Sequence, residues 1–214
     1  MKGKKLFYFA LFFSVITILY GCNERNNRAY LEDRIGNQIS RVYPTKNLED
    51  LFEQFPNGFT IYQGYLLADK IIKIELDGTE KGKPIEGTIK QINSKSGVEE
   101  KKIAVTYDKG KYSYDDEEEA RKLWPKEKFL FQEMTLNKEV LSKFKLKDTY
   151  YNGNNGSFEI DYVVKNEQIN EFLGLEKKQQ VTLGFHGSNS NKRYYYSLTV
   201  EIDKKLDFIE RIEE

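Results

Sequence analysis

Apolar residues recur near every fourth position between residues 29 and 43, and this spacing predicts an amphipathic helix. The apolar positions of this helix are Leu31, Ile35, Ile39 and Val42. Pro44 then interrupts the pattern. Asn47, with Asp50 three positions later, is typical of a helix start, so we expect Asn47 to cap a second helix over residues 48–55.

From Phe59 onward the apolar period changes to two, which predicts strands that bury one face and expose the other. The alternating sets are Ile72, Ile74 and Leu76; Ile103 and Val105; Phe158, Ile160 and Tyr162; and Tyr194, Tyr196, Leu198, Val200 and Ile202. Turn-forming residues lie between these sets at 77–78, 93–97, 108–110, 152–156 and 187–191. Short turns of this kind favour hairpins over crossovers.

Three further helices are predicted between the strands. Residues 115–123 begin with acidic side chains and end with basic ones, which suits the helix dipole, and Pro125 closes the segment. Residues 137–144 and 166–173 each start at an asparagine that can cap a helix, and the second stops at Gly174. The elements together predict an α+β fold, a large antiparallel sheet with short helices packed on one face.

The chain begins with Lys2, Lys4 and Lys5, followed by an apolar stretch over residues 6–19 and a polar segment from Asn23. Fourteen residues of helix rise about 21 Å, which is short of the roughly 30 Å hydrocarbon core of a bilayer. The segment is therefore interpreted as a secretory signal and not as a membrane-spanning helix.

The four residues from Leu19 to Cys22 resemble the bacterial lipobox, although the motif prefers a small or β-branched residue where Tyr20 stands. The resemblance implies that a diacylglyceryl group is joined to the Cys22 thiol, and that a signal peptidase cuts between Gly21 and Cys22. We expect a signal peptide at 1–21, a lipidated cysteine with a polar tether at 22–28, and a single domain at 29–214. The mature protein would be held on the extracellular face of the cell membrane by its acyl chains.

Composition narrows the function classes. Cys22 is the only cysteine, so no intramolecular disulfide can form and the fold depends on its core. Basic and acidic residues number 34 each, which argues against a nucleic-acid partner because such a partner requires a concentrated basic face. Aromatic residues make up 14% of the chain and supply large apolar side chains for a core.

Residues 42–52, with the sequence VYPTKNLEDLF, resemble a segment of the staphylococcal tandem lipoproteins, also called the conserved staphylococcal antigen family. Weaker similarity continues through residues 127–134, 157–173 and the final hairpin, so it covers most of the mature chain. The resemblance implies a lipid-anchored protein on the outer face of a Gram-positive membrane, encoded in arrays of paralogues and associated with host-cell contact. The family has no established catalytic residues that the resemblance could assign to this chain.

Few residues are candidates for chemistry. His186 is the only histidine, which excludes a histidine-rich metal site, and we interpret it as a turn residue and not as a general base. The acidic run at 115–119 lacks the alternating ligands and central glycine of a calcium loop. Residues 152–156 are glycine-rich, but no lysine with serine or threonine follows, as a phosphate loop would require. We therefore predict no enzymatic activity, no metal and no cofactor.

Two functional hypotheses remain. The first is an interaction protein that contacts a host or envelope protein through its exposed surface. The alternative is a carrier or chaperone that holds an apolar ligand in a curved sheet, which the aromatic strands favour. Residues 194–196 are interpreted as core packing with one exposed ring and not as a binding cage. A cavity of a few hundred cubic ångströms lined by aromatic side chains would favour the carrier.

Overall fold

A computed structural model describes residues 25–188, 194–203 and 205–214. Its main feature is a 10-stranded sheet in which all neighbouring strands are antiparallel, in the order β5-β4-β3-β2-β1-β10-β9-β8-β7-β6. The strands are β1 (Phe59–Leu67), β2 (Lys70–Gly78), β3 (Ile85–Asn93), β4 (Glu99–Asp108), β5 (Lys111–Tyr114), β6 (Lys145–Tyr151), β7 (Phe158–Val164), β8 (Val181–Gly187), β9 (Tyr195–Ile202) and β10 (Lys205–Glu213). Two five-stranded meanders thus meet where β1 pairs with β10 at the centre of the sheet.

The helices are short and pack on one face of the sheet, as predicted. They are α1 (Arg28–Ile39), a 3-10 helix (Leu48–Glu53), α2 (Glu117–Leu123), α3 (Leu130–Glu133), α4 (Lys138–Ser142) and α5 (Glu167–Leu173). Their buried apolar residues join those of the strands in one hydrophobic core between the helices and the sheet. The predicted α+β class is therefore confirmed.

Helix α1 follows the predicted period, and its apolar positions at 31, 35 and 39 are at most 1% exposed. It begins where the Asn27 side chain accepts a hydrogen bond from the Tyr30 N–H at 3.0 Å. A glycine in its interior has a packing reason, because a Cβ on Gly36 would lie 2.6 Å from the backbone nitrogen of Lys138 in α4. The helix ends at Ile39, four residues before the predicted end.

The second predicted helix is wrong in type and in its cap. Residues 48–53 form a 3-10 helix, and the Asn47 side chain accepts no hydrogen bond from its backbone. Instead the Asn47 amide donates to the Asp50 carboxylate at 3.3 Å. The backbone N–H of Leu48 donates to the Tyr107 hydroxyl at 3.4 Å. The N–H of Asp50, which a cap would have bound, donates to the backbone carbonyl of Asn47 at 3.1 Å instead.

The other three predicted helices are confirmed. Asp116, Asn137 and Asn166 each accept a hydrogen bond from a backbone N–H three residues later, at 2.9 to 3.0 Å. Helix α5 ends at Gly174, which adopts the left-handed conformation with φ of 70° that favours glycine. Capping asparagines therefore identify two of these helix starts correctly from local sequence, and the acidic run identifies the third.

The alternating segments are strands, and β2, β4 and β7 have the predicted phase, whereas in β9 Ser197 and Thr199 on the predicted exposed face are buried. In β7, for example, the residues at 158, 160, 162 and 164 are buried while those between them are half-buried. The first four turn segments lie at or beside connections between paired strands. The last one extends into residues 189–193, which lie outside the described part of the chain.

Candidate functional site

The predicted lipidation and cleavage residues, Cys22 and Gly21, lie outside the described residues together with the whole signal segment. Within the described residues, no helix is both long and apolar enough to cross a membrane. The division of the chain into signal, tether and domain stays a prediction.

An apolar groove of about 620 Å³ opens where four parts of the chain meet. They are the end of β1, the segment that follows α2, the end of α5, and the connection between β9 and β10. Its apolar lining residues are Tyr65, Leu66, Leu67, Leu123, Trp124, Pro125, Phe172, Leu173, Leu175, Ile202 and Phe208. We call this cavity the apolar groove.

Aromatic packing holds the walls of the apolar groove. The rings of Phe172 and Phe208 meet edge to face, with centroids 5.8 Å apart. The Tyr65 hydroxyl donates to the carbonyl oxygen of Leu123, which fixes the end of α2 to β1. At the mouth, Leu66 and Leu67 are 41% and 47% exposed, so two large apolar side chains face water beside the groove.

A buried polar network forms the floor of the apolar groove. Trp124 is 2% exposed, and its indole N–H donates to the Gln63 side-chain oxygen at 3.1 Å. The Gln63 amide nitrogen in turn donates to the Glu210 carboxylate at 3.1 Å. Gln63 and Glu210 are paired across β1 and β10 at the centre of the sheet. The groove is thus anchored to the middle of the fold.

Glu210 is 1% exposed and accepts hydrogen bonds from four donors. One carboxylate oxygen accepts from the Tyr43 hydroxyl at 2.7 Å and from the Phe131 N–H at 2.9 Å. The other accepts from the Leu130 N–H at 2.6 Å and from Gln63. Burial raises the pKa of Glu210 to about 7, against the opposing effect of these donors. The network fastens α3 to the sheet.

A second cavity, of about 510 Å³, adjoins the apolar groove and is polar. Five basic side chains line it against only two acidic ones, Glu117 and Glu127. The basic residues are Lys46, Lys111, Arg121, Lys126 and Lys128. Three tyrosines, Tyr107, Tyr112 and Tyr114, complete its lining together with Asn47, Gly110 and Gln132. We call this cavity the basic pocket.

The acidic run at 115–119 acts as the predicted helix start. The Asp116 side chain caps α2, and Glu117 and Glu118 pair with Arg121 and Lys122 one turn later at 2.7 Å. Among the described residues, no group of three or more histidine, cysteine or carboxylate side chains is arranged to hold a metal ion.

The sequence predicted His186 to be a turn residue, and this prediction is wrong, because His186 lies within β8. Its Nε2 is 3.1 Å from the Thr199 hydroxyl and its Nδ1 is 3.8 Å from the Glu159 carboxylate. This order of hydroxyl, imidazole and carboxylate matches only the outline of a catalytic triad. Thr199 pairs with Gly184 on one side and with Ile209 on the other, so the sheet ladders occupy the nearby backbone N–H groups that an oxyanion hole would need.

The three consecutive tyrosines pack largely as predicted. Tyr194 is 4% exposed, and its ring centroid lies 4.8 Å from that of Tyr196. Tyr195 points to the opposite face of the sheet, where it is half-buried beside Arg211. The face of β9 that carries Tyr195 is not uniformly exposed to solvent, because Ser197 and Thr199 on that face are only 6% and 8% exposed.

Sequence reasoning missed the groove residues. A signal for its floor was present, because Gln63 and Glu210 occupy apolar positions in the alternation of their strands, with Ile61 and Phe208 two residues before them. A polar residue in a buried phase requires hydrogen-bond partners, and so marks a network. Trp124 and Phe172 had no comparable local signal.

No protein-family model matches the chain, and no curated protein matches it significantly. The similarity of residues 42–52 to the staphylococcal tandem lipoproteins therefore stays a prediction from the sequence.

Proposed function

We propose that this protein is a membrane-anchored bacterial surface lipoprotein whose folded domain binds an apolar ligand in the apolar groove, as a carrier and not as an enzyme. The signal segment and Cys22 support the anchor. The groove is the observation that carries the binding function. Its volume falls within the range of about 300–1,000 Å³ that is usual for small-molecule sites.

The lining supports an apolar ligand more than a polar one. Four aromatic side chains, Tyr65, Trp124, Phe172 and Phe208, face the groove. The hydroxyl of Tyr65 and the indole N–H of Trp124 are already bonded within the protein. The groove wall thus offers apolar surface to a ligand. Each ligand methylene buried against this wall contributes about 0.8 kcal/mol to binding.

A second candidate function is an interaction protein that binds a host or envelope protein. The face of the sheet opposite the helices favours it, because the Arg211 guanidinium lies between two aromatic rings there. It is 5.1 Å from the Tyr62 ring centroid and 5.7 Å from that of Tyr195. Arginine and tyrosine are enriched among residues that dominate protein interfaces.

The binding function is tested with Trp124, which is the only tryptophan of the chain and lies in the groove. The fragment 23–214 retains every described core residue, from Leu31 to Ile212. It is titrated with ω-bromoundecanol, whose bromine quenches tryptophan emission on contact. We expect saturable quenching with one molecule bound per chain.

Leu67→Asp provides the matched variant, because it places a charge at the mouth of the groove and should weaken binding about tenfold or more. Val98→Asp is its control, since Val98 is 59% exposed and does not line the groove. Quenching that rises linearly without saturation, or that Leu67→Asp leaves unchanged, would count against a carrier and leave the interaction protein as the better candidate.

The anchor is tested with Cys22→Ala. Without its thiol the chain cannot take a diacylglyceryl group, so we expect the mature variant to leave the membrane fraction. The mass of the variant is measured to exclude a precursor held by its uncleaved apolar segment. Retention of correctly processed variant on washed membranes would refute the lipid anchor.

A further inference from the structure

We infer that the apolar groove and the basic pocket form one two-part site for a single-chain amphiphile with a small anionic head, a carboxylate or a phosphate. The chain would occupy the groove and the head the pocket. This inference rests on the proposed function for the apolar part, and adds to it the chemical class of the ligand.

The two cavities lie next to each other along one short segment. Lys126 and Lys128 line both of them. The ring of Tyr112, in the basic pocket, meets the indole of Trp124, in the groove, edge to face at 5.0 Å. An apolar space and a cationic space therefore lie side by side and share two lysines, which matches the apolar chain and the charged head of an amphiphile.

Arg121 pairs with Glu117 and Lys128 pairs with Glu133, which leaves three cationic side chains available to an anion in the basic pocket. Its two carboxylates are already engaged, since Glu117 pairs with Arg121 at 2.7 Å and Glu127 accepts from the Tyr114 hydroxyl at 2.8 Å. Among the described residues, neither Lys46 nor Lys111 forms an ion pair, and both are exposed.

Lys126 occupies the boundary between the two parts. Its ammonium group donates to the Glu171 carbonyl oxygen at 2.9 Å and lies 5.5 Å from the Phe172 ring centroid. It has no carboxylate partner among the described residues. The ammonium therefore lies beside a wall of the apolar groove, and its two remaining N–H donors can meet an anionic head at this boundary.

The Tyr112 hydroxyl supplies a second, independent observation. It is buried and has no hydrogen-bond partner within the described part of the chain. A buried donor without a partner is costly and rare. Burial also raises the pKa of Tyr112, so the phenol keeps its proton and remains a donor. Because Tyr112 lines the basic pocket, we propose an oxygen of the anionic head as the partner of this hydroxyl.

The test compares two probes with the same chain. The fragment 23–214 is titrated at neutral pH with ω-bromoundecanoate and with ω-bromoundecanol, and quenching of Trp124 is followed. We expect the carboxylate to bind about tenfold or more tightly than the alcohol, because hydrogen bonds from charged donors to an anion are the stronger ones. Added salt should weaken binding of the carboxylate and not of the alcohol.

Variants locate the head. Lys126→Met keeps the aliphatic stem and should weaken carboxylate binding about tenfold while changing alcohol binding less than twofold. Lys111→Gln, at an exposed position, should act in the same direction, and serves if the first variant unfolds. Lys138→Met is the control, since Lys138 pairs with Asp33 and lines neither cavity.

The outcomes separate the two proposals. Equal affinity for both probes, or an advantage of the carboxylate that survives both lysine variants, would overturn the amphiphile inference and leave the apolar groove as a carrier site. Absence of saturable quenching by either probe would overturn both. Tighter carboxylate binding that Lys126→Met or Lys111→Gln removes, and Lys138→Met does not, would establish the two-part site.

Discussion

Replacement of Glu210 by glutamine tests the network beneath the groove. Each carboxylate oxygen accepts from two donors, so the amide nitrogen of a glutamine would face two donors whichever way it turned. Gln63 cannot turn to relieve this conflict, because its oxygen accepts from the Trp124 indole. We expect Glu210→Gln to be less stable than the parent by about 2 kcal/mol even at pH 8.

The pH dependence gives a sharper test. The pKa of Glu210 is raised from 4.5 to about 7, chiefly by burial. A carboxyl with a raised pKa in the folded state contributes stability that is complete below its unfolded pKa and is lost as the pH rises through its folded pKa. The shift corresponds to about 3 kcal/mol. The glutamine variant has no titrating carboxyl at this position. The stability difference between parent and variant should therefore shrink by about 3 kcal/mol from pH 4.5 to 8.

Other groups facing Glu210 do not titrate in this window. Tyr43 and Tyr194 are the titratable neighbours, and burial raises the pKa of each further above its ordinary value of 10. The remaining donors are the Gln63 amide and two backbone N–H groups. Any change in the difference between parent and variant therefore reports on Glu210.

The assay is urea unfolding of the fragment 23–214 and its variants at several pH values, followed by circular dichroism. Glu86→Gln, at an exposed position of β3, controls for the loss of one carboxylate from the sheet. A difference that stays constant from pH 4.5 to 8, or grows as the pH rises, would refute the reasoning. The four donors would then outweigh burial and hold Glu210 ionised throughout.

Three further predictions concern stability, measured by the same unfolding assay. Gly36→Ala should destabilise the fold by about 1–3 kcal/mol despite the better helix propensity of alanine, because its Cβ would clash with α4. Gly153→Ala is the control, since a Cβ there has open space and should cost under about 0.5 kcal/mol. Equal effects of the two substitutions would contradict the close packing of α1 on α4. Tyr112→Phe should stabilise the fold by about 1 kcal/mol, because it removes a buried hydroxyl that has no partner among the described residues. Tyr114→Phe should destabilise the fold by a similar amount, because it removes the hydrogen bond to Glu127. Destabilisation by both substitutions would show that the Tyr112 hydroxyl has a partner. Asn166→Ala should lower the free energy of unfolding by about 1 kcal/mol and Asn47→Ala by much less, since of these two residues only Asn166 caps its helix through its side chain. A larger loss of stability in Asn47→Ala than in Asn166→Ala would reverse this assignment.

The sequence by itself determined those features that depend on near neighbours. The period of two in β2, β4 and β7 specified which residues are buried, because alternate side chains of a strand point to opposite faces. In β9 it did not, since Ser197 and Thr199 are buried as well. Asparagine marked the starts of α4 and α5 because a short side chain reaches a backbone N–H three residues on, and acidic residues marked the start of α2 through the helix dipole. Asn47 is the exception, since its backbone carbonyl and not its side chain accepts from the N–H three residues on.

Only the tertiary structure decided which elements meet. Pairing of β1 with β10 brings Gln63 beside Glu210 across 147 positions of sequence. The apolar groove then takes its walls from four separate segments, and the basic pocket shares two lysines with it. Periodicity reports which face of an element is buried and not which element covers it, because the partner depends on the pairing of the whole sheet. The sequence therefore predicted the α+β layers, and the candidate site emerged only when they were assembled.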